Sequence, residues 1–257
     1  SVDGKQPDLV ERIKTLARTR RTKQMLTDAF VTPRQLLEAG VLSNAAEEKI
    51  MLSTFDKVYI KFPPGHEVRV GERYVVFRTT GEVIHPITRK RFGYMTQVTG
   101  VVKVTRIHPK LATAQVSSAL DVVERGQYVT PLVKDLYRHV KPKPNAKELR
   151  GVVLATHIQR TKLIGENEMV FIDKGRQDGV EVGNIFFVTY RGDPLTGPND
   201  SMPEERIAKL MVVDVKSNAA TALVINAIRE VEVGNPIRMI AAQAPAAAPA
   251  KSEPSGS

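Results

Sequence analysis

Five histidines are the side chains of this sequence best suited to proton transfer or metal binding near neutral pH: His66, His85, His108, His139 and His157. They stand roughly 20 to 30 residues apart, so no two share a helical turn or a strand in the way a metal site or a general-base pair requires. The chain has no cysteine, which removes thiolate zinc sites, disulfides and a cysteine nucleophile. It also lacks the Gly-x-x-x-x-Gly-Lys-Ser/Thr and Gly-x-Gly-x-x-Gly loops that cradle phosphates on backbone amides, the Gly-x-Ser-x-Gly nucleophile elbow, and the His-Glu-x-x-His helix. These absences point to a protein that binds rather than one that makes or breaks bonds, with no cofactor and no resident metal.

What remains for chemistry is positive charge. The 257 residues carry 38 Lys and Arg against 28 Asp and Glu, a formal net charge of +10. The excess is local. Residues 136–165 hold Arg138, Lys141, Lys143, Lys147, Arg150, Arg160 and Lys162 against the single acid Glu148, whereas 166–240 are acidic overall. A second basic group, Arg89, Lys90 and Arg91, sits at the end of a loop spanning Thr79–Gly93. Arg89, Lys90, Arg91, Arg138, Lys141, Lys143 and Lys147 are therefore the candidate partner-binding residues. Two readings stand beside each other: a patch for an anionic partner, or cations that keep a connector and a loop solvated.

The elements that position these groups follow from hydrophobic pattern. Residues 1–52 have the spacing of a helical lead, with Asp8 as a cap, an apolar stripe through Leu9, Ile13 and Leu16, and a short second helix capped by Thr32 and Pro33 and stopped at Gly40. A third turn starts at Ser43 or Asn44 and runs to Ile50. Beyond Phe55 the texture changes to short runs of Val, Ile, Phe, Tyr and Thr broken by Gly, Pro or Asp, the pattern of small antiparallel β domains. The longest apolar runs, such as that within Lys209–Val215, fall far short of the roughly 18–20 residues that span a bilayer.

Comparing the β region with itself reveals a duplication. Shifted by 112, Val58, Ile60, Val68, Val70, Gly71 and Val76 fall on Val170, Ile172, Val180, Val182, Gly183 and Val188. Shifted by 108, Val104, Ala112, Ala114, Val116, Glu124 and Gly126 fall on Val212, Ala220, Ala222, Val224, Glu232 and Gly234. The expected fold is mainly β: two tandem repeated small antiparallel barrel or sandwich modules, 53–135 and 151–240, joined by a basic linker at 136–150. The linker is proline-rich (Lys141-Pro142-Lys143-Pro144), which disfavours both helix and central strand. A helical lead precedes the modules and an Ala-, Pro- and Ser-rich tail, 241–257, follows with the composition of a disordered segment. The loop matching Thr79–Gly93 in the second copy, Gly192–Arg206, is acidic instead, with Asp193, Asp200, Glu204 and Glu205, so the copies present opposite charge at corresponding places.

The ordered series Asp56–Ile60 (DKVYI), Val70–Arg78 (VGERYVVFR), His85–Tyr94 (HPITRKRFGY) and Glu124–Pro131 (ERGQYVTP) resembles the region that follows the LysM domain in the type IV pilus secretin-associated protein (TsaP) family. The second copy, Val170–Met239, resembles the C-terminal domain of flagellar assembly protein T. Together the resemblances span roughly residues 28–240. They imply a non-enzymatic protein of the periplasm, peripheral to the outer membrane and cell wall, that surrounds the secretin pore of the type IV pilus machine and helps anchor it, as copies in a ring. In that family peptidoglycan is held by a LysM domain, which these 257 residues do not contain; no signal peptide is visible in them, and the Ser-Val-Asp-Gly opening suggests a processed or excised piece. The alternative is a nucleic-acid-binding protein in which the first module and the linker grip phosphates.

Overall fold

The computed structural model describes residues 23–26, 28–35, 39–45, 51–132, 137–156, 164–193, 197–199 and 201–242. In chain order the first half comprises β1 (Lys23–Leu26), β2 (Ala29–Thr32), β3 (Gly40–Ala45), β4 (Met51–Leu52), β5 (Lys57–Lys61), β6 (Arg73–Ile84), β7 (Arg91–Ile107), β8 (Ala112–Ala119), β9 (Val123–Glu124), β10 (Tyr128–Pro131) and β11 (Tyr137–Val140). The second half comprises β12 (Leu149–Thr156), β13 (Met169–Ile172), a 3₁₀ turn at Arg176–Asp178, β14 (Ile185–Tyr190), β15 (Gly192–Asp193), β16 (Gly197–Pro198), β17 (Glu205–Val215), β18 (Ala220–Ala227) and β19 (Pro236–Met239).

Two closed six-stranded antiparallel barrels result. The first runs β3-β5-β8-β7-β6-β10 and returns to β3; the second runs β12-β13-β18-β17-β14-β19 and returns to β12. The two orders match strand for strand, so the sequence repeat is a repeat of topology. Closure removes the open edges that a short sheet of this kind would expose. Alternation within the strands fills each interior: Leu42, Val58, Ile60, Val76, Val102 and Val116 in the first, and Val153, Ile172, Phe186, Val188, Leu210 and Ile237 in the second, are all fully buried.

Turn geometry repeats as well. Gly71 and Gly183 take φ of 92° and 93°, and each donates its N–H to a matched carbonyl, Val104 or Val212, at 2.8 Å. Phe55 and Asn167 occupy the same left-handed turn position, with φ of 76° and 68°, donating to Val116 O and Val224 O at 2.8 Å.

The N-terminal region differs from its helical expectation wherever it is described. Ala29–Thr32 and Gly40–Ala45 are strands, and Lys23–Leu26 and Met51–Leu52 are short strands as well. Thr32 ends β2 rather than capping a helix, its hydroxyl donating to Arg34 O at 2.8 Å. Gly40 does not stop a helix. It begins a barrel strand, where a Cβ would lie 2.8 Å from Lys61 O, too close for any side chain. Ser43 and Asn44 lie within that strand. The pairing available to Phe30, Val31 and Leu42 in a sheet outweighs the local helical spacing. The first barrel thus starts at residue 40 rather than 53. The apolar stripe at Leu9–Leu16, the pair Leu36 and Leu37, and the tail from residue 243 lie outside the described residues.

Two further expectations are revised. Thr79–Gly93 is not a loop: β6 and β7 continue as a paired hairpin from Thr79↔Thr96 to Ile84↔Arg91, an arm that projects beyond the first barrel and carries β2 on its flank. The linker is no free connector either. Its start, β11, pairs with β1, and Val140 covers an outer face of the second barrel made by Met211, Val213 and Leu223.

Candidate functional site

The arm joins the two barrels. Val83, Met95 and Phe92 of the arm, with Ala29 and Val31 of β2, pack on Leu154, Ala155, Phe171 and Ala219 of the second barrel. Polar contacts frame this patch: Thr221 Oγ1 donates to Ala29 O at 3.3 Å and Asn218 Nδ2 to Phe92 O at 3.4 Å. Lys216 Nζ stands 4.0 Å from the centre of the Phe30 ring, a cation–π contact.

His85 is the latch at the arm's end. Its Nδ1 accepts the N–H groups of Ile87 and Thr88 at 3.2 and 3.3 Å, which fixes the turn. The ring proton therefore sits on Nε2, 3.4 Å from Asp173 Oδ2 on the second barrel. The other oxygen, Asp173 Oδ1, accepts Val152 N–H at 2.7 Å. That approach requires a glycine at 151, because a Cβ there would lie 2.2 Å from Asp173 Oδ1.

Past the latch, the turn exposes Ile87, Thr88, Arg89 and Lys90. Arg89 takes a left-handed φ of 58°, turning the chain back into β7. Arg91 is held within the arm, its guanidinium donating to Tyr94 Oη at 3.2 Å and lying 3.5 Å from Glu82 Oε1. Of the three expected tip cations, Arg89 and Lys90 have no ion-pair partner among the described residues.

The linker residues are brought to a different place. Lys143 N–H donates to Gly183 O at 2.8 Å, and its ammonium pairs with Glu181. Asn145 is the anchor: its Nδ2 donates to Ile185 O at 2.8 Å and Ile240 O at 3.0 Å, while Oδ1 accepts Ile185 N–H at 3.0 Å. Lys147 lies against Gly179, the residue that closes the 3₁₀ turn. Lys141, Lys143 and Lys147 are exposed along this strap. Arg138 is on β11 opposite Met25. The tip cluster and the strap do not form one patch: the tip meets the second barrel at Asp173 and Asn218, the strap at Glu181, Gly183 and Ile185.

Sequence reading missed two grooves. One, of about 590 Å³, lies between the arm and the second barrel, bordered by Glu82, Ile84, Leu154, Ala155 and Val233. The other, of about 560 Å³, opens in the first barrel between Phe62, Pro63, His66 and the Ile107–Leu111 turn. The duplication explains this second groove. In the second barrel Gly175 packs so tightly on the 217–219 turn that a Cβ would lie 2.5 Å from Ala219 N. The equivalent residue in the first barrel is Pro63, which has a ring in place of the bare glycine and lines the groove. Phe62 and His66 stack there at 5.0 Å. Behind them Tyr74 donates its hydroxyl to Glu72 Oε2 at 3.0 Å. Burial, and then the bond to Glu72, push the Tyr74 phenol up to about 12. The Arg69 N–H and then the Tyr74 hydroxyl hold Glu72 below the usual carboxylate range.

Among the described residues no group of three or more His, Asp or Glu side chains is placed to hold a metal ion. No helix among them is long and apolar enough to cross a membrane. No protein-family model matches the chain, and no curated protein matches it in sequence.

Proposed function

We propose that this chain is a non-enzymatic scaffold of the bacterial periplasm that associates with the outer-membrane secretin of the type IV pilus machine and helps fix that pore to the cell wall, in a ring of copies. The observation that carries the reading is the joint: an arm of one barrel packs on the next and is hydrogen-bonded to it, while Arg89 and Lys90 stand exposed at its tip. Apolar packing framed by hydrogen bonds suits a part that transmits load rather than one that opens around a substrate. Two exposed cations on a fixed turn suit recognition of an acidic protein face. Contact with peptidoglycan in the family it resembles belongs to the LysM domain, and the proposal gives residues 28–240, which carry the resemblance, the secretin-facing part.

The test is co-purification of the secretin with the double variant Arg89→Glu, Lys90→Glu, with circular dichroism as the check on folding. The expected result is loss of association with an unchanged spectrum. Full retention of the secretin by the folded variant would overturn the proposal, as would salt-dependent retention of DNA or RNA by the parent chain that the same variant abolishes.

A further inference from the structure

The second barrel carries a cluster of arginines that its architecture does not explain. Arg150 on β12 and Arg238 on β19 are direct register partners, flanked by the pairs Leu149↔Met239 and Gly151↔Ile237. Met239 and Ile237 point into the barrel core, so Arg150 and Arg238 share the outer face. Like charges directly opposite across an antiparallel pair are destabilising. Arg191, at the end of β14, lines the same groove of about 480 Å³, together with Thr189, Tyr190 and Glu204.

Among the described residues one carboxylate, Glu204, answers these three guanidiniums. Glu204 Oε2 accepts from Arg238 at 2.8 Å, and the Thr189 hydroxyl, then Arg238, hold Glu204 below its ordinary range. Arg191 contributes to that lowering through its charge, without an ion pair. Arg150 and Arg191 have no ion-pair partner among the described residues. The groove therefore keeps two uncompensated positive charges, on a module whose residues 166–240 are otherwise acidic. The first barrel has none of this at the corresponding positions, where Ala39, Thr130, Thr79 and Thr96 stand for Arg150, Arg238, Arg191 and Glu204. Barrel closure does not need the arginines.

We infer that this groove is a binding site for a phosphate monoester. Guanidinium forks match phosphate oxygens in pairs. Three arginines less one glutamate match the near-dianion that a phosphate monoester carries at pH 7, with a second pKa of about 6. A single carboxylate would leave one cation uncompensated. The volume lies in the range of small-molecule sites, about 300–1,000 Å³, leaving room for the body of the ester beside the phosphate. The ester is either a free phosphorylated metabolite or a lipid headgroup, which present the same group. The inference is independent of the secretin reading.

The test is calorimetric titration of the whole chain with glycerol 3-phosphate, beside sedimentation with phosphatidylcholine vesicles with and without phosphatidic acid. Arg150→Gln and Arg191→Gln are each expected to weaken binding roughly tenfold. Glu204→Gln, which frees Arg238, is expected to tighten it. Arg150→Gln is also expected to raise the melting temperature of the unliganded protein by removing the opposed pair, a change of opposite sign to its effect on binding. Saturable binding in the soluble arm alone assigns a free ester, and binding in the vesicle arm a headgroup. Binding in neither arm, binding indifferent to Arg150 and Arg191, or destabilisation of the free protein by Arg150→Gln would overturn the inference.

Discussion

Replacing Gly151 with alanine tests whether the two barrels are latched as one body. The new Cβ would lie 2.2 Å from Asp173 Oδ1 and 2.9 Å from Lys174 Cγ, so the carboxylate has to swing away. Three contacts go with it: the Val152 N–H bond at 2.7 Å, the His85 Nε2 contact at 3.4 Å and the Lys174 Nζ ion pair at 3.3 Å. A hydrogen bond to a charged partner is worth about 1.5–3 kcal/mol, and the alanine returns about 0.4–1 kcal/mol by restricting the unfolded chain. The net expectation is a loss of roughly 0.5–2.5 kcal/mol, or about 1–10 °C in Tm for a chain of this size. Thermal unfolding by circular dichroism measures it. The mechanistic check is a double-mutant cycle with His85→Ala: because both changes act on the Asp173 carboxylate, their effects should fail to add by about 0.5 kcal/mol or more. Unfolding within 0.5 kcal/mol of the parent, or strict additivity with His85→Ala, would refute the latch.

Three further changes follow from the same geometry. Phe55→Asn should stabilise the protein by about 1 kcal/mol in urea unfolding, because Phe55 is 75% exposed and takes a left-handed φ of 76° where the second copy uses Asn167. Tyr74→Phe should flatten the alkaline limb of stability: with the folded phenol raised from about 10 to about 12, the native state keeps a proton that the unfolded chain releases, so this contribution is present below pH 10 and lost between pH 10 and 12. Urea midpoints of both proteins across that window should diverge with the parent falling faster. Asn145→Ala removes three hydrogen bonds to the Ile185 and Ile240 backbone and should cost about 2–3 kcal/mol while making the strap a site of early proteolytic cleavage, visible by mass spectrometry.

The β modules were legible because their signals are periodic and occur twice. Val58 and Ile60 against Val170 and Ile172 mark the same inward positions, and Gly71 against Gly183 the same turn, so each copy reinforces the other. The N-terminal strands were not legible, since Thr32, Pro33, Leu36, Leu37 and Gly40 satisfy local helix punctuation and only the distant partners of β2 and β3, Tyr94–Gln97 and Val58–Lys61, reveal sheet. The basic tip Arg89, Lys90 and Arg91 is legible from charge, but the segment read as a loop is a paired hairpin, whose partners across Thr79–Thr96 only the fold reveals. The latch was not legible, because His85 and Asp173 lie 88 residues apart and neither stands in a motif. The groove beside Pro63 had a readable sign: at that position the repeat sets proline against Gly175.

Duplication also shows where the two copies have been put to different uses. A barrel of this topology closes with Ala39 and Thr130 at one edge pair or with Arg150 and Arg238 at its counterpart, so closure sets no demand on those side chains. The same holds for the hairpin between the fifth and fourth strands of each ring: in the first copy it becomes an arm that reaches the neighbouring barrel, and in the second it carries Glu204, which pairs with Arg238. Residues shared by both copies, such as Gly71 and Gly183, build the barrel. Those that differ in chemistry, among them His85, Pro63 and the three arginines, are the ones for which folding of a single barrel gives no account, and each of them lines a joint or a groove.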